Sequence, residues 1–164
     1  MIIISDTTPI ITLLKINQLG LLQKLFHEIY IPESVYDELT LNLKYISESE
    51  IIKNIKFIKK ECINNHQAVS LLKRAAGLDL GDSEAIILSD EKKADLLIID
   101  EIKGRVVAKS MGLKIMGTIG ILTLAYEEAL ISKNDVIKSI DIMRNTGRHI
   151  SESLYNQLLT KIGI

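Results

Sequence analysis

The stretch Met1-Ile2-Ile3-Ile4-Ser5-Asp6-Thr7-Thr8-Pro9, MIIISDTTP, decides the fold. Ile2, Ile3 and Ile4 are consecutive β-branched residues, which suit extended backbone. A run without polar alternation asks for burial on both faces, as in a central strand of a parallel sheet. A strand is therefore expected over Ile2–Ser5, stopping at Asp6. Thr7-Thr8-Pro9 then reads as a helix entry, because a proline in the first turn gives up an N–H that has no partner there. In open α/β sheets ligands bind at the carboxyl ends of the strands, so Asp6 stands where a site would form.

Further along, Leu96–Ile99 is a second buried strand and ends in Asp100. Between the two, Leu78-Asp79-Leu80-Gly81-Asp82-Ser83-Glu84-Ala85-Ile86 opens a central helix, with Ala85, Ile86 and Leu88 inward. Spacings of three and four predict a helix over Ile10–Lys15 and another bearing Leu19, Leu22, Leu25 and Phe26. Ile29-Tyr30-Ile31 is a short strand ended by Pro32. A helix from Glu33 carries Val35, Leu39 and Leu43 inward, with Glu38 beside Leu39. A helix over Ile46–Ile52, an edge strand over Ile55–Ile58 and a helix over Gln67–Ala76 stopped by Gly77 follow. Then come a helix over Glu101–Met111, a strand over Lys114–Met116, a helix over Ile119–Ala129, and two last helices at about Lys133–Asn145 and Ser151–Lys161. Apolar strands alternating with helices predict an α/β fold, a parallel sheet covered on both sides. No repeat or Gly/Pro-rich linker divides the 164 residues. One domain over 1–164 is expected, with a helical tail at about 133–164 that packs on it or swaps with a partner.

Composition narrows the function classes. The chain is 47% hydrophobic, which favours a packed core over disorder. Its net charge of −1 gives no overall basic signal for nucleic acid, although a local basic patch would be enough. Cys62 is the only cysteine, so no intramolecular disulfide forms. The apolar N-terminus lacks a positive leading segment and is interrupted by Asp6 and Pro9, unlike a signal peptide. Ile115–Tyr126 is shorter than the roughly 20 residues a bilayer requires. A soluble, cytoplasmic protein is expected.

Each acid has an ordinary explanation. Asp6 caps the helix at Thr7 or Thr8, or it is a ligand. Asp100 caps the helix at Glu101. Asp82 and Glu84 are first-turn acids that suit the helix dipole. Glu38 is a solvated residue on a helix face. Together they are harder to dismiss. If the two Asp-terminated strands are neighbours, their carboxylates face a common crevice, where mutual repulsion costs free energy. A divalent cation relieves it. Hard oxygen donors suit Mg²⁺ or Mn²⁺ over zinc, and His27, His66 and His149 show no ligand spacing. Mg²⁺ held by carboxylates recruits phosphate oxygens and activates water, which is the chemistry of phosphodiester hydrolysis.

The segments IISDTTPII, IPESVYDEL, LDLGDSEAI, LLIIDEIKGRVVA and MGTIGIL, in this order and spacing over about residues 1–125, resemble the PIN domain, and within it a small toxin-like subgroup. The resemblance implies a three-layer α/β/α fold, a Mg²⁺ or Mn²⁺ site and RNA cleavage, as by the toxin of a toxin–antitoxin pair. It implies Asp6, Asp82 and Asp100 as metal ligands, with Glu38 sharing the site or positioning water. Relatives often carry Glu where this chain has Asp82, one methylene shorter, and Glu84 is the rival for that place. Residues two apart on a helix diverge, so only one of them faces the site. Glu101 is a candidate for contact through water, and Thr7 or Thr8 for a supporting hydrogen bond. Arg105, about one turn past Asp100, either reaches a substrate phosphate or pairs with a nearby acid. Lys103 and Lys109 extend a basic strip. Gly117, Thr118 and Gly120 read as structural. The expected partners are an RNA substrate, an antitoxin that covers the crevice and a second copy of the chain.

Two other classes fit less well. A haloacid-dehalogenase-type phosphatase needs a second Asp two residues after the first, where this chain has Thr8. A response-regulator receiver needs paired acids after the first strand, which SDTT does not supply. An inactive PIN-like module kept for protein binding is the alternative to the nuclease.

Overall fold

The computed structural model describes residues 1–164. Five strands, β1 (Ile3–Ser5), β2 (Ile29–Pro32), β3 (Ile58–Glu61), β4 (Leu96–Ile98) and β5 (Ile115–Met116), form one parallel sheet in the order β3-β2-β1-β4-β5. Ten α-helices surround it: α1 (Thr7–Lys15), α2 (Gly20–Phe26), α3 (Glu33–Leu41), α4 (Ile46–Asn54), α5 (His66–Ala76), α6 (Leu80–Lys92), α7 (Ile102–Ser110), α8 (Thr118–Glu127), α9 (Lys133–Asn145) and α10 (Glu152–Lys161). A single 3-10 turn spans Leu43–Tyr45. This is the expected α/β architecture.

The isoleucine run explains the three layers. Successive side chains on a strand point to opposite faces, and here each face has its own core. Ile3 joins Ile98 among side chains from α1, α2, α3, α8, α9 and α10. Ile4 joins Leu97 and Ile99 among side chains from α5, α6 and α7. Ile3, Ile4 and Ile98 are fully buried, each contributing about 1.5–3 kcal/mol of transfer free energy. The last helices belong to the first core: Val136, Ile140 and Met143 of α9 and Leu158 of α10 are buried in it, with Ile162 just beyond.

Sequence and structure differ in places. Leu43 does not point inward. The helix ends at Leu41, Asn42 caps the 3-10 turn by accepting the Lys44 N–H, and Leu43 is 82% exposed. The edge strand lies at Ile58–Glu61 rather than Ile55–Ile58, because register with β2 pairs Ile29 with Ile58. Glu84 falls in the second turn of α6, beyond the first-turn acids. No helix is long and apolar enough to cross a membrane.

The topology fixes where a site can form. The strand order runs outward from β1 to β3 on one side and through β4 to β5 on the other. The reversal lies between β1 and β4, and the crevice at the carboxyl ends of such strands is the usual ligand position. The two strands pair in register, Ser5 with Ile98, and the Asp6 N–H continues the ladder to the Ile98 carbonyl at 3.0 Å. Asp6 and Asp100 therefore leave adjacent strands at the same edge.

Candidate active site

Asp6 occupies the cap position of α1 in extended backbone, without a side-chain capping hydrogen bond. The capping explanation for its carboxylate is thus set aside. The carboxyl group meets Asp82 instead. Helix α6 delivers Asp82 because its entry is well specified: Asp79 caps it, accepting the Asp82 N–H at 2.8 Å. A Cβ at Gly81 would lie 3.4 Å from Asp6 Oδ1 and 3.5 Å from Glu38 Oε2, so both carboxylates border the same point of α6. Glu38 reaches it from α3 and accepts a hydrogen bond from Thr7 Oγ1 at 2.8 Å. On the other side α7 comes close enough that a Cβ at Gly104 would sit 2.6 Å from Ile99 Cδ1 and 3.7 Å from Asp82 Cγ.

This gathering has an electrostatic cost. Asp6 is 5% and Asp82 4% exposed. Burial, the hydrogen bond with Asp82 and the Asp82 charge push the Asp6 carboxyl well above the usual carboxylate range. Asp82 is also raised, by burial and then by the charges of Asp79, Glu101 and Glu38, while its bond from Asp6 works the other way. Both carboxyls are thus shifted toward the protonated form by burial and by each other's proximity. Above them opens a crevice of about 320 Å³ lined by Asp6, Thr8, Asp79, Asp82, Glu101 and Lys103. Lys103 is its one cation.

Asp100 stands apart. It does not cap α7; Glu101 does, accepting the Lys103 N–H. Asp100 instead reaches α8, where Oδ1 accepts the Thr118 N–H at 2.8 Å and Oδ2 accepts Thr118 Oγ1–H at 2.6 Å. Oδ2 also accepts Arg148 Nη2–H at 2.9 Å. Gly117 is required by contact: a Cβ there would lie 2.7 Å from Asp100 Oδ1 and 3.1 Å from Arg105 Nη1. A Cβ at Gly120 would likewise lie 2.6 Å from Met116 Cγ. Arg105 forms no ion pair with an acid. Its Nη1–H donates to the Ile99 carbonyl at 2.8 Å, which leaves the rest of the guanidinium available.

Of the expected ligands, the structure brings Asp6 and Asp82 into contact, with Glu38 beside them, and holds Asp100 against Thr118 and Arg148. Between the two rivals on α6, Asp82 meets Asp6, while Glu84 is 8% exposed with an Oε2 that has no hydrogen-bond partner. No group of three or more His, Cys, Asp or Glu side chains is arranged to hold a metal ion. The donor chemistry still fits a hard divalent cation: two abutting carboxylates in a wet acidic crevice are what Mg²⁺ uses when most of its shell remains water. Asp6 and Asp82 would hold such an ion.

Two participants escaped the sequence reading. Asp79 was legible in principle, as an Asp three residues ahead of Asp82 at a helix start. Arg148 was not, since it is 48 residues from Asp100 and lies between helices in a segment with no motif. A family model described as a PIN domain matches residues 2–164. No curated protein matches the chain.

Proposed function

Since the chain belongs to the PIN-domain family, whose members are in general nucleases, we propose that it is a Mg²⁺- or Mn²⁺-dependent endoribonuclease, the toxin of a toxin–antitoxin pair. One observation carries this reading above the others: Asp6, at the carboxyl end of β1, and Asp82, in the first turn of α6, are buried together with Glu38 close by, a gathering of carboxylates that a cation would relieve. A bound divalent ion supplies activated water and offsets negative charge on the scissile phosphate.

The chain's own groups have separable tasks. Asp6 and Asp82 would hold the ion. Glu38, oriented by Thr7 Oγ1–H, accepts a hydrogen bond from the attacking water. Asp100, fixed by Thr118, adds negative charge at the edge of the site. Arg105 and Lys103 offer donors to the phosphate. Exposed apolar side chains on α7 beside the crevice, Ile102 at 76% and Val106 at 63%, support a protein inhibitor at its rim. Exposed Leu154 and Ile142 on the last two helices support a homodimer. The inactive binding module keeps some support from the engaged state of Asp100 and the lack of a three-carboxylate cluster.

The deciding experiment is cleavage of a mixed RNA by purified protein with Mn²⁺, beside Asp6→Asn, Asp100→Asn and an EDTA control. The wild type is expected to cut and the other three samples not to. An inert wild type that also binds no Mn²⁺ in calorimetry would replace the nuclease by the binding module.

A further inference from the structure

A second cleft adjoins the acidic one and has the opposite charge. It has a volume of about 280 Å³ and lies where α1, the 3-10 turn and the segment after α9 meet. Its polar lining includes Thr8, Thr12, Lys15, Lys44 and Arg148, and no Asp or Glu lines it. Lys15 and Lys44 are exposed and form no ion pair. In a chain with 21 acids against 20 bases, an acid-free cleft with three cations is a local departure from the average. Thr8 lines both clefts, and Arg148 joins the second to Asp100. The polarity inverts across one residue.

We propose that this cleft is a binding subsite for the sugar-phosphate backbone of single-stranded RNA, holding the nucleotides that flank the bond cut in the acidic crevice. The proposal rests on the nuclease reading and adds the path of the substrate. A strand lying over Asp6 and Asp82 continues past Thr8 onto Lys15 and Lys44, where its phosphates meet ammonium groups. The crevice itself is acidic and repels phosphate, so affinity has to come from a neighbouring surface. An acidic protein segment matches the same cations, but nothing continues it into a crevice lined by Asp6, Asp79, Asp82 and Glu101. Arg148 already spends one nitrogen on Asp100, so Lys15 and Lys44, neither in an ion pair although Lys44 Nζ lies 5.5 Å over the Tyr45 ring, are the proper test.

The test is fluorescence anisotropy with a labelled single-stranded oligouridylate of about ten nucleotides. The background is Asp6→Asn, which blocks cleavage. Lys15→Ala/Lys44→Ala is compared with Lys59→Ala, a cation on the edge strand whose neighbour Tyr30 lies in the opposite core. Each lost phosphate contact on a single strand lowers the salt slope by about 0.7, so two contacts are worth about 25-fold in affinity at 0.1 M salt. The double variant is expected to lose that much and to flatten the slope by about 1.4, with Lys59→Ala unchanged and Lys15→Arg/Lys44→Arg restored. An unchanged affinity and slope in the double variant overturns the subsite while wild-type cleavage leaves the nuclease standing. Equal loss in Lys59→Ala overturns it as a general charge effect. If oligoglutamate of the same charge binds the cleft better than the RNA, the occupant is an acidic protein segment. Absence of both cleavage and RNA binding in the wild type removes the two proposals together.

Discussion

Replacing Asp82 by Asn should make the metal-free protein more stable at neutral pH, a direction opposite to most substitutions of a buried residue. Asp6 and Asp82 are each at most 5% exposed, and the Asp82 charge helps to raise the Asp6 carboxyl. Two full charges about 4 Å apart repel by about 4 kcal/mol at an effective dielectric near 20. Protonation of either carboxyl would remove that repulsion, so the figure is an upper bound. Asn keeps the shape and a hydrogen-bonding partner for Asp6, and it also relieves the repulsion from Asp79, Glu101 and Glu38. Losing an acid in the first turn of α6 takes back about 0.3–1 kcal/mol of dipole interaction. A net gain of about 1–2 kcal/mol is in the range of known stabilising changes at functional sites, or about 2–4 °C per kcal/mol for a chain of this length.

The sign with pH is fixed. A carboxyl whose folded pKa is raised contributes stability that is fully present below its unfolded value, near 3.9, and lost as pH rises through the folded one. The wild type should therefore lose stability relative to Asp82→Asn as pH rises from about 4 to 8. Scanning calorimetry in EDTA at a series of pH values measures both curves. If Asp82→Asn melts at or below wild type at pH 7.5, or if the gap does not narrow toward pH 4, the reading of two mutually repelling, raised carboxyls is wrong.

Other outcomes follow from the same geometry. Mn²⁺ should raise the wild-type melting temperature at pH 7.5 and do so progressively less as pH falls, because protons compete for Asp6 and Asp82; a thermal-shift titration against Asp82→Asn checks it. Gly117→Ala forces a methyl to within 2.7 Å of Asp100 Oδ1, and should cost about 1–3 kcal/mol in urea denaturation and displace Asp100 from Thr118. Arg148→Met removes a part-exposed ion pair, and should cost no more than about 1 kcal/mol while changing any cleavage rate more than stability. Ile3→Ala, in the fully buried centre, should cost about 2–5 kcal/mol. Ile102→Ala, at 76% exposure, should stay within about 0.5 kcal/mol, and equal midpoints for the two would refute the layer assignment.

How much of this was written locally varies with the residue. The Ile2-Ile3-Ile4 run carried the central strand because its faces enter different cores, and continuous β-branching is the mark of that environment. Asp6 and Asp100 were legible as acids closing neighbouring strands, because strand ends and polarity are local features. Their diverging fates were not, since they depend on α6 and α8 arriving from elsewhere in the chain. The edge strand was misplaced because Ile55, Phe57 and Ile58 alternate like a strand, yet Ile55 and Phe57 pack on the core from outside the sheet. The strand itself, Ile58-Lys59-Lys60-Glu61, is charged, as an exposed sheet edge should be. Leu43 failed for a related reason: Asn42 stops the helix, and spacing counted through a stop has no meaning.

The arrangement of the sheet also sets a schedule for biosynthesis. Of the five strands, β1 is made before the other four and is the central one, and its partner β4 follows only after some ninety residues. Arg148, which secures Asp100, and Leu158 and Ile162, which seal the first core, come later still. At about 5–20 residues per second, the interval from Asp100 to Ile162 lasts roughly 3–12 s. Through that interval the acids are already translated while the cation and the covering helices that complete their surroundings are not. A nascent chain emerged only as far as Asp100 thus has its acids in place while Asp100 still lacks its ion pair and the first core its last apolar side chains, so the setting of Asp100 is completed by the final stretch of chain to be made.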